Sequence, residues 1–226
     1  MSAPGRRHRG KLQKHIYIVV IIVSVGAICL DVGLILHHAK TNRARQTFVS
    51  KQVSTAGSKN VPSSTKPSTQ SVQAYSVAPN LPKYLVIPSL NVNARVTKVY
   101  TNAQNQVGAP GNIFDTGWYA SSSLPGQPGA TFIDGHVSSW TADGVFYNLK
   151  KLRVGDTIQI VKGDNSVLTY LVKKMQATNA PDVDMQQALT SIEPGKSGLN
   201  LMTCTGSVIA GTSEFNERLI VYSVLE

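Results

Sequence analysis

From Leu81 to the C-terminus the chain is cut into short apolar or alternating runs: "KYLVIP", "ARVTKVY", "ATFIDG", "DTIQIVK", "LTYLVKKM", "LNLMTC" and "RLIVYSVL". Clusters of Gly, Pro, Asn and Asp separate them, among them "GAPGN", "LPGQPG", "GDNS" and "EPGKSG". Runs of this length rich in β-branched residues are strands, and the turn clusters stop each before a helix can propagate. Many short strands with regular turns fold as a sandwich or a closed barrel. Only "DVDMQQALTSI", with Asp182 or Asp184 as N-cap, and "VFYNLKKL" read as short helices. The fold class expected for 81–226 is therefore all-β with short helices. "RLIVYSVL", apolar on both sides and last in the chain, is expected in a central strand.

The preceding residues follow different rules. Ile16–Leu36 is a stretch of 21 positions with a single charge, Asp31. As a helix it would reach roughly 30 Å, the thickness of a bilayer core. It is too long for the apolar part of a secretory signal and no small-residue cleavage site follows, so it reads as an uncleaved anchor. Residues 1–15 form a basic tail with five Lys and Arg, against four on the other flank (Lys40, Arg43, Arg45, Lys51), which leans toward the N-terminus inside and the domain outside. Residues 37–80, rich in Ser, Thr, Gln, Lys and Pro, bury too little to offset their ordering entropy and read as a disordered stalk.

The formal net charge of +10 suggests nucleic acid until it is located. Residues 1–80 carry 11 Lys and Arg against Asp31 alone, whereas 81–226 carry 11 basic and 11 acidic residues. The folded part is neutral, so a nucleic-acid footprint is excluded. No His, Cys and carboxylate cluster has metal-ligand spacing in 81–226, and neither a metal nor a cofactor is expected.

Within 81–226 there is one cysteine, Cys204, and one histidine, His136. Cys204 closes the run "LNLMTC" and reads as a strand end; Thr205 and Gly206 leave space beside the sulfur. His136 follows the strand "ATFIDG", and Arg218 stands at the start of the terminal strand. Each alone has a bland reading: a buried thiol, a structural ring, an arginine paired with Glu214 or Glu217. Together they have a chemistry. Only a thiolate attacks a carbonyl, a histidine can take the thiol proton and return it to a leaving amine, and a guanidinium can hold the oxyanion. No Asn or Asp stands out to orient the histidine. Asp134 points the same way as His136 along its strand and reads first as a solvated carboxylate. Trp118 and Tyr119 read as packing at a barrel corner, and Trp140 as a residue that could border a groove.

The ordered set "DGHV", "LMTC" and "NERLIVYS" resembles the sortases, membrane-anchored cysteine transpeptidases of bacterial surfaces. "LVIPSLNVNARV" and "VFYNLKKLRVGDTIQIV" extend the likeness over nearly all of 81–226, and "GWYASSSLPGQPG" is similar to class F members. Leu201 stands where the family often has Thr, leaving Thr203 and Cys204 in place. The resemblance implies a closed barrel of about eight strands, Cys204 as nucleophile, His136 as general acid/base, Arg218 as the oxyanion or positioning cation, and Thr203 as a substrate contact. It further implies cleavage of a Leu-Pro-x-Thr-Gly-like sorting signal on surface proteins through a thioacyl enzyme, with an amine from a cell-wall precursor or a pilin lysine as acceptor. The domain would lie outside a bacterial cell membrane on a single-pass anchor. Two other readings stay open on the residues alone: another thiol enzyme, such as a simple cysteine peptidase or an L,D-transpeptidase, and an anchored β-domain that binds wall polymer or a protein without catalysis.

Overall fold

The computed structural model describes residues 61–102 and 106–226. The expected basic tail, the anchor over 16–36 and the first part of the stalk lie outside the described residues.

Eight strands close into a barrel in the order β1-β2-β3-β4-β7-β8-β6-β5, with β5 pairing back onto β1. They are β1 Pro82–Ile87, β2 Val92–Val99, β3 Thr116–Tyr119, β4 Gly129–Gly135, β5 Thr157–Lys162, β6 Val167–Asn179, β7 Ser197–Val208 and β8 Phe215–Leu225. Two of the pairings are parallel, β2 with β3 and β4 with β7. Closure removes the edges that eight short strands would otherwise expose.

Alternation along the strands fills the interior. Leu85, Ile87, Ile133, Ile158, Ile160, Leu199, Leu201 and Val221 project inward around Tyr170 and Phe146. Each such side chain stabilises the fold by about 1.5–3 kcal/mol relative to leaving it in water. The β4/β7/β8 region is covered on its other face too. Phe132, Ile220 and Tyr222 pack there with Met202 against Ala188 of a short helix, α2 (Met185–Ala188). Burial on both faces explains why "RLIVYSVL" is continuously apolar, and β8 does lie between β7 and β6 as that pattern requires. Asp184 caps α2 by accepting from the Gln187 amide, one of the two caps expected. "VFYNLKKL" supplies only a 3₁₀ turn, Leu149–Lys151.

Three expectations need correction. β3 was not among the seven runs, because its four residues are too few to display a period; its pairing with β2 and β4 makes it a strand. Second, the strands carrying Cys204 and Arg218 do not end at those residues. β7 continues to Val208 through an irregularity after Thr205, and β8 begins at Phe215. Gly206, at φ +82, supplies the left-handed backbone there. Third, the stretch read as stalk is folded from Val61 onward. A helix, α1 (Thr69–Gln73), is capped by Ser68, and the Tyr75 hydroxyl donates to the Val96 carbonyl at 2.6 Å. Tyr75 meets the edge of Tyr84 at 6.2 Å between ring centroids, and the Tyr84 hydroxyl donates to the Val72 carbonyl. The Arg95 guanidinium, held by Asp115 through contacts of 2.9 and 2.7 Å, lies over the Tyr75 ring. Composition hid this because one aromatic residue and a set of backbone hydrogen bonds, not a hydrophobic stripe, order the segment.

Candidate active site

Cys204 and Arg218 are direct cross-strand partners in the antiparallel β7/β8 ladder. Cys204 alternates with Leu201 and Thr203, so it shares the face of Met202, outside the barrel interior. The parallel β4/β7 register pairs Asp134 with Met202. β4 ends at Gly135, so His136 is the residue just past the end of the strand that neighbours β7. Cys204 and Arg218 thus sit side by side on β7 and β8, His136 follows the end of the neighbouring β4, and Asp134 lies two residues before it.

The ring of His136 is oriented by the backbone. Its Nε2 lies 2.8 Å from the carbonyl oxygen of Pro110. A carbonyl offers no proton, so Nε2 carries the hydrogen and Nδ1 is the nitrogen free to accept one. Pro110 therefore does the work for which no Asn or Asp was visible. Sequence reasoning missed it because a backbone carbonyl leaves no mark on residue identity; "GAPGN" reads only as a turn. The main chain of His136 is fixed as well: Phe146 N–H donates to its carbonyl at 2.9 Å, and Gly144 N–H donates to the Val137 carbonyl at 2.9 Å.

Gly144 belongs to this arrangement. A methyl group there would overlap the His136 carbonyl oxygen and stand 2.7 Å from its carbonyl carbon, atoms that no rotamer change can move away. Gly144→Ala is expected to displace His136 and lower the turnover of any reaction using its ring by at least about tenfold, leaving substrate affinity nearly unchanged. Steady-state kcat and KM of the purified variant check this.

Electrostatics set the resting state. Burial pushes the Cys204 thiol above its usual range; the Arg218 charge pulls it down, and Asp134 and Glu214 push it up. The net direction is upward, so the sulfur rests as a thiol at neutral pH. Asp134 is half-buried on the sheet face, not the fully solvated carboxylate expected. Burial raises it to about 7, against the opposing effects of the Gly135 amide and Arg218. Arg218 Nη1 donates to the carbonyls of Phe215 and Glu217 at 2.9 and 3.0 Å, which fixes the guanidinium at the strand.

Thr203 is only 2 % exposed, and its hydroxyl donates to the Gly135 carbonyl at 2.7 Å. It ties β7 to β4 immediately below the Cys204–His136 level, so the hydroxyl proposed for substrate already has a structural partner. A cavity of about 140 Å³ opens beside the sulfur, lined by Val137, Phe146, Tyr147, Lys150, Thr203, Phe215 and Leu219 among others. Trp140, in the loop after His136, is 84 % exposed. Trp118 is buried, its indole N–H donating to Ser122 Oγ, as expected of a packing residue.

A thiol, an imidazole with a free Nδ1 and a fixed guanidinium can together add a sulfur nucleophile to a carbonyl and hold the resulting charge. Known proteins share the fold that carries these residues. The Sortase domain family model matches residues 85–226. Among solved structures, sortase C of Streptococcus pneumoniae, described for catalysis and pilin substrate specificity, is 22% identical; the alignment covers 73% of this chain and 75% of that one, with a TM-score of 0.51. Sortase C1 of Streptococcus agalactiae, solved with MTSET, is also 22% identical, covering 68% and 71% with a TM-score of 0.51. At that identity the likeness is one of fold. No match is found among curated protein sequences.

Proposed function

The chain belongs to the sortase family, and from that premise we propose that it is a membrane-anchored cysteine transpeptidase acting on a Leu-Pro-x-Thr-Gly-like sorting signal. The observation that carries this reading is the register of Cys204 against Arg218, with His136 at the end of the neighbouring strand β4 and its ring turned by Pro110. The thiol proton passes to His136 Nδ1 as the sulfur adds to the carbonyl carbon of the motif threonine. Arg218 faces the negative charge that develops on the carbonyl oxygen. Collapse breaks the Thr–Gly bond, the glycine nitrogen takes the proton back from His136, and a thioester on Cys204 remains. An amine from a cell-wall precursor or a pilin lysine then adds to the thioester, gives its proton to His136 and releases the thiol. Because the sulfur rests protonated, proton transfer to the imidazole is part of the attack.

The apolar lining at Phe146, Leu219 and Val137 supports binding of the aliphatic part of such a motif. Ile16–Leu36 supports a single-pass anchor with the domain outside a bacterial membrane. The block "GWYASSSLPGQPG" supports class F within the family.

The test uses the purified chain with a quenched library of motif peptides, with and without an amine acceptor. Cleavage that yields amine-linked product in the wild type and is absent in Cys204→Ala supports a transpeptidase. Cleavage whose rate and product ignore the amine would instead make the chain a simple cysteine peptidase.

A further inference from the structure

We propose that the segment Val61–Thr65 is a positioning element of the active site: it fixes the loop whose Pro110 carbonyl orients His136. The inference rests on the reading of His136 as the acid–base group. It goes beyond that reading by making residues far outside the matched 85–226 region necessary to the reaction.

The connections are direct. Ser63 pairs in parallel with Asn112; its N–H donates to the Gly111 carbonyl at 2.8 Å, and its own carbonyl accepts from Ile113 N–H at 3.0 Å. The Asn112 side-chain amide donates to the Thr65 carbonyl at 2.9 Å. Gly111 and Asn112 follow Pro110, whose carbonyl oxygen takes the Nε2 hydrogen of His136. The segment also reaches the loop on the other side of the ring. Ser64 Oγ donates to Ser139 Oγ at 3.1 Å, three residues past His136. Val145 N–H to the Ile113 carbonyl, at 2.8 Å, joins the two loops to each other.

The segment can hold these loops because it is itself held. Tyr75 bonds to β2 through the Val96 carbonyl, and Tyr84 of β1 bonds back to Val72. Position is thus handed from the barrel wall to α1, from α1 to Ser63–Thr65, from there to Gly111–Ile113, and by Pro110 to the imidazole. A hydrogen bond to a carbonyl on a loop orients a ring only as well as the loop is placed, and a misplacement of about 1 Å at a reacting group can lower a rate about a hundredfold.

The test compares full-length wild type, Ser63→Pro, Ser64→Ala and Asn112→Ala, with His136→Ala as reference. Ser63→Pro deletes the N–H to Gly111; Asn112→Ala deletes the link to Thr65 but also the bond its Oδ1 accepts from Phe114 N–H within the loop, so Ser64→Ala is the variant that leaves the Pro110 loop's own bonds intact. Two quantities are read: kcat and KM for peptide-to-amine transfer, and the pH profile of Cys204 alkylation by iodoacetamide in a Cys29→Ala background. Melting curves verify that each variant folds; if Ser63→Pro does not, the other two decide. The expected result is a fall in kcat of about 10- to 100-fold for Ser63→Pro, smaller for the side-chain variants, with KM within about twofold. Their alkylation profiles should move toward that of His136→Ala. Folded variants with wild-type kcat and a wild-type profile would overturn the inference. Failure of the functional reading looks different. If no peptide is transferred but alkylation still depends on both His136 and the segment, the positioning role stands without the proposed substrate. If His136→Ala leaves alkylation unchanged, the acid–base reading falls and this inference with it.

Discussion

Arg218→Ala is expected to lower kcat for motif cleavage by about 10²–10³-fold, the loss usual when a fixed donor to an oxyanion is removed. The magnitude follows from position. Arg218 is the cross-strand partner of Cys204, and two carbonyls of its own strand hold Nη1, so the guanidinium needs no reorganisation when charge develops nearby. Its charge also opposes the burial that keeps the sulfur protonated. Removing it should therefore shift thiolate formation to higher pH, and alkylation of Cys204 should follow. Arg218→Lys keeps a charge but loses the planar fork, so thiol ionisation should recover more fully than turnover. Equal recovery of both would show that Arg218 acts on the sulfur alone and not on the oxyanion.

Asp134→Asn is expected to make the domain more stable above pH 7. The sign comes from proton counting. Burial raises the native carboxyl from 3.8 to about 7, whereas in the unfolded chain it ionises near its ordinary value. Between those limits the native state holds a proton that the unfolded state has released. Stability is therefore fully present below about pH 4, falls as pH rises, and is lost once pH passes about 7. Because the carboxyl keeps some solvent access, the gain falls short of the roughly 1.4 kcal/mol per pH unit that complete burial would give. Asparagine cannot ionise and escapes the loss, so the variant should melt several degrees higher at pH 8 and close to wild type at pH 4. The groups facing Asp134 act on the same balance. Arg218 on β8 favours its charged form, Cys204 on β7 feels that charge, His136 follows on β4, and Gly117 opposite on β3 brings no charge. Because charged Asp134 pushes the thiol up, the variant's Cys204 should also alkylate faster at pH 8. Melting curves that stay parallel from pH 4 to pH 8 would contradict the burial of this carboxyl.

What the sequence discloses, and what it hides, divides by the kind of information involved. A strand with a period writes itself into residue identity, so β1, β2 and β4 to β8 are legible as alternating or β-branched runs. Cys204, His136 and Arg218 are conspicuous because two of them are alone of their kind in the domain and all stand in or beside such runs. β3 has only four residues and takes its state from its neighbours. Pro110 acts through a main-chain oxygen, and Ser63 through both of its peptide groups, so any residue with a similar backbone would look the same in sequence. Asp134 shows the converse. Its identity is plain, but whether a carboxylate on an outward face is solvated depends on what covers that face, and coverage is a tertiary property.

In the proposed reaction Cys204 carries the acyl group between the sorting signal and the amine. Intact-mass measurement of the purified chain, quenched with acid while turning over a cleavable motif peptide, reads this directly. The expected result is a population heavier by the N-terminal peptide fragment, mapped to Cys204, depleted by added amine as the amine-linked product forms, and absent in Cys204→Ala. Cleavage with no adduct under any quench time, or an adduct that discharges at the same rate with and without amine, would contradict it.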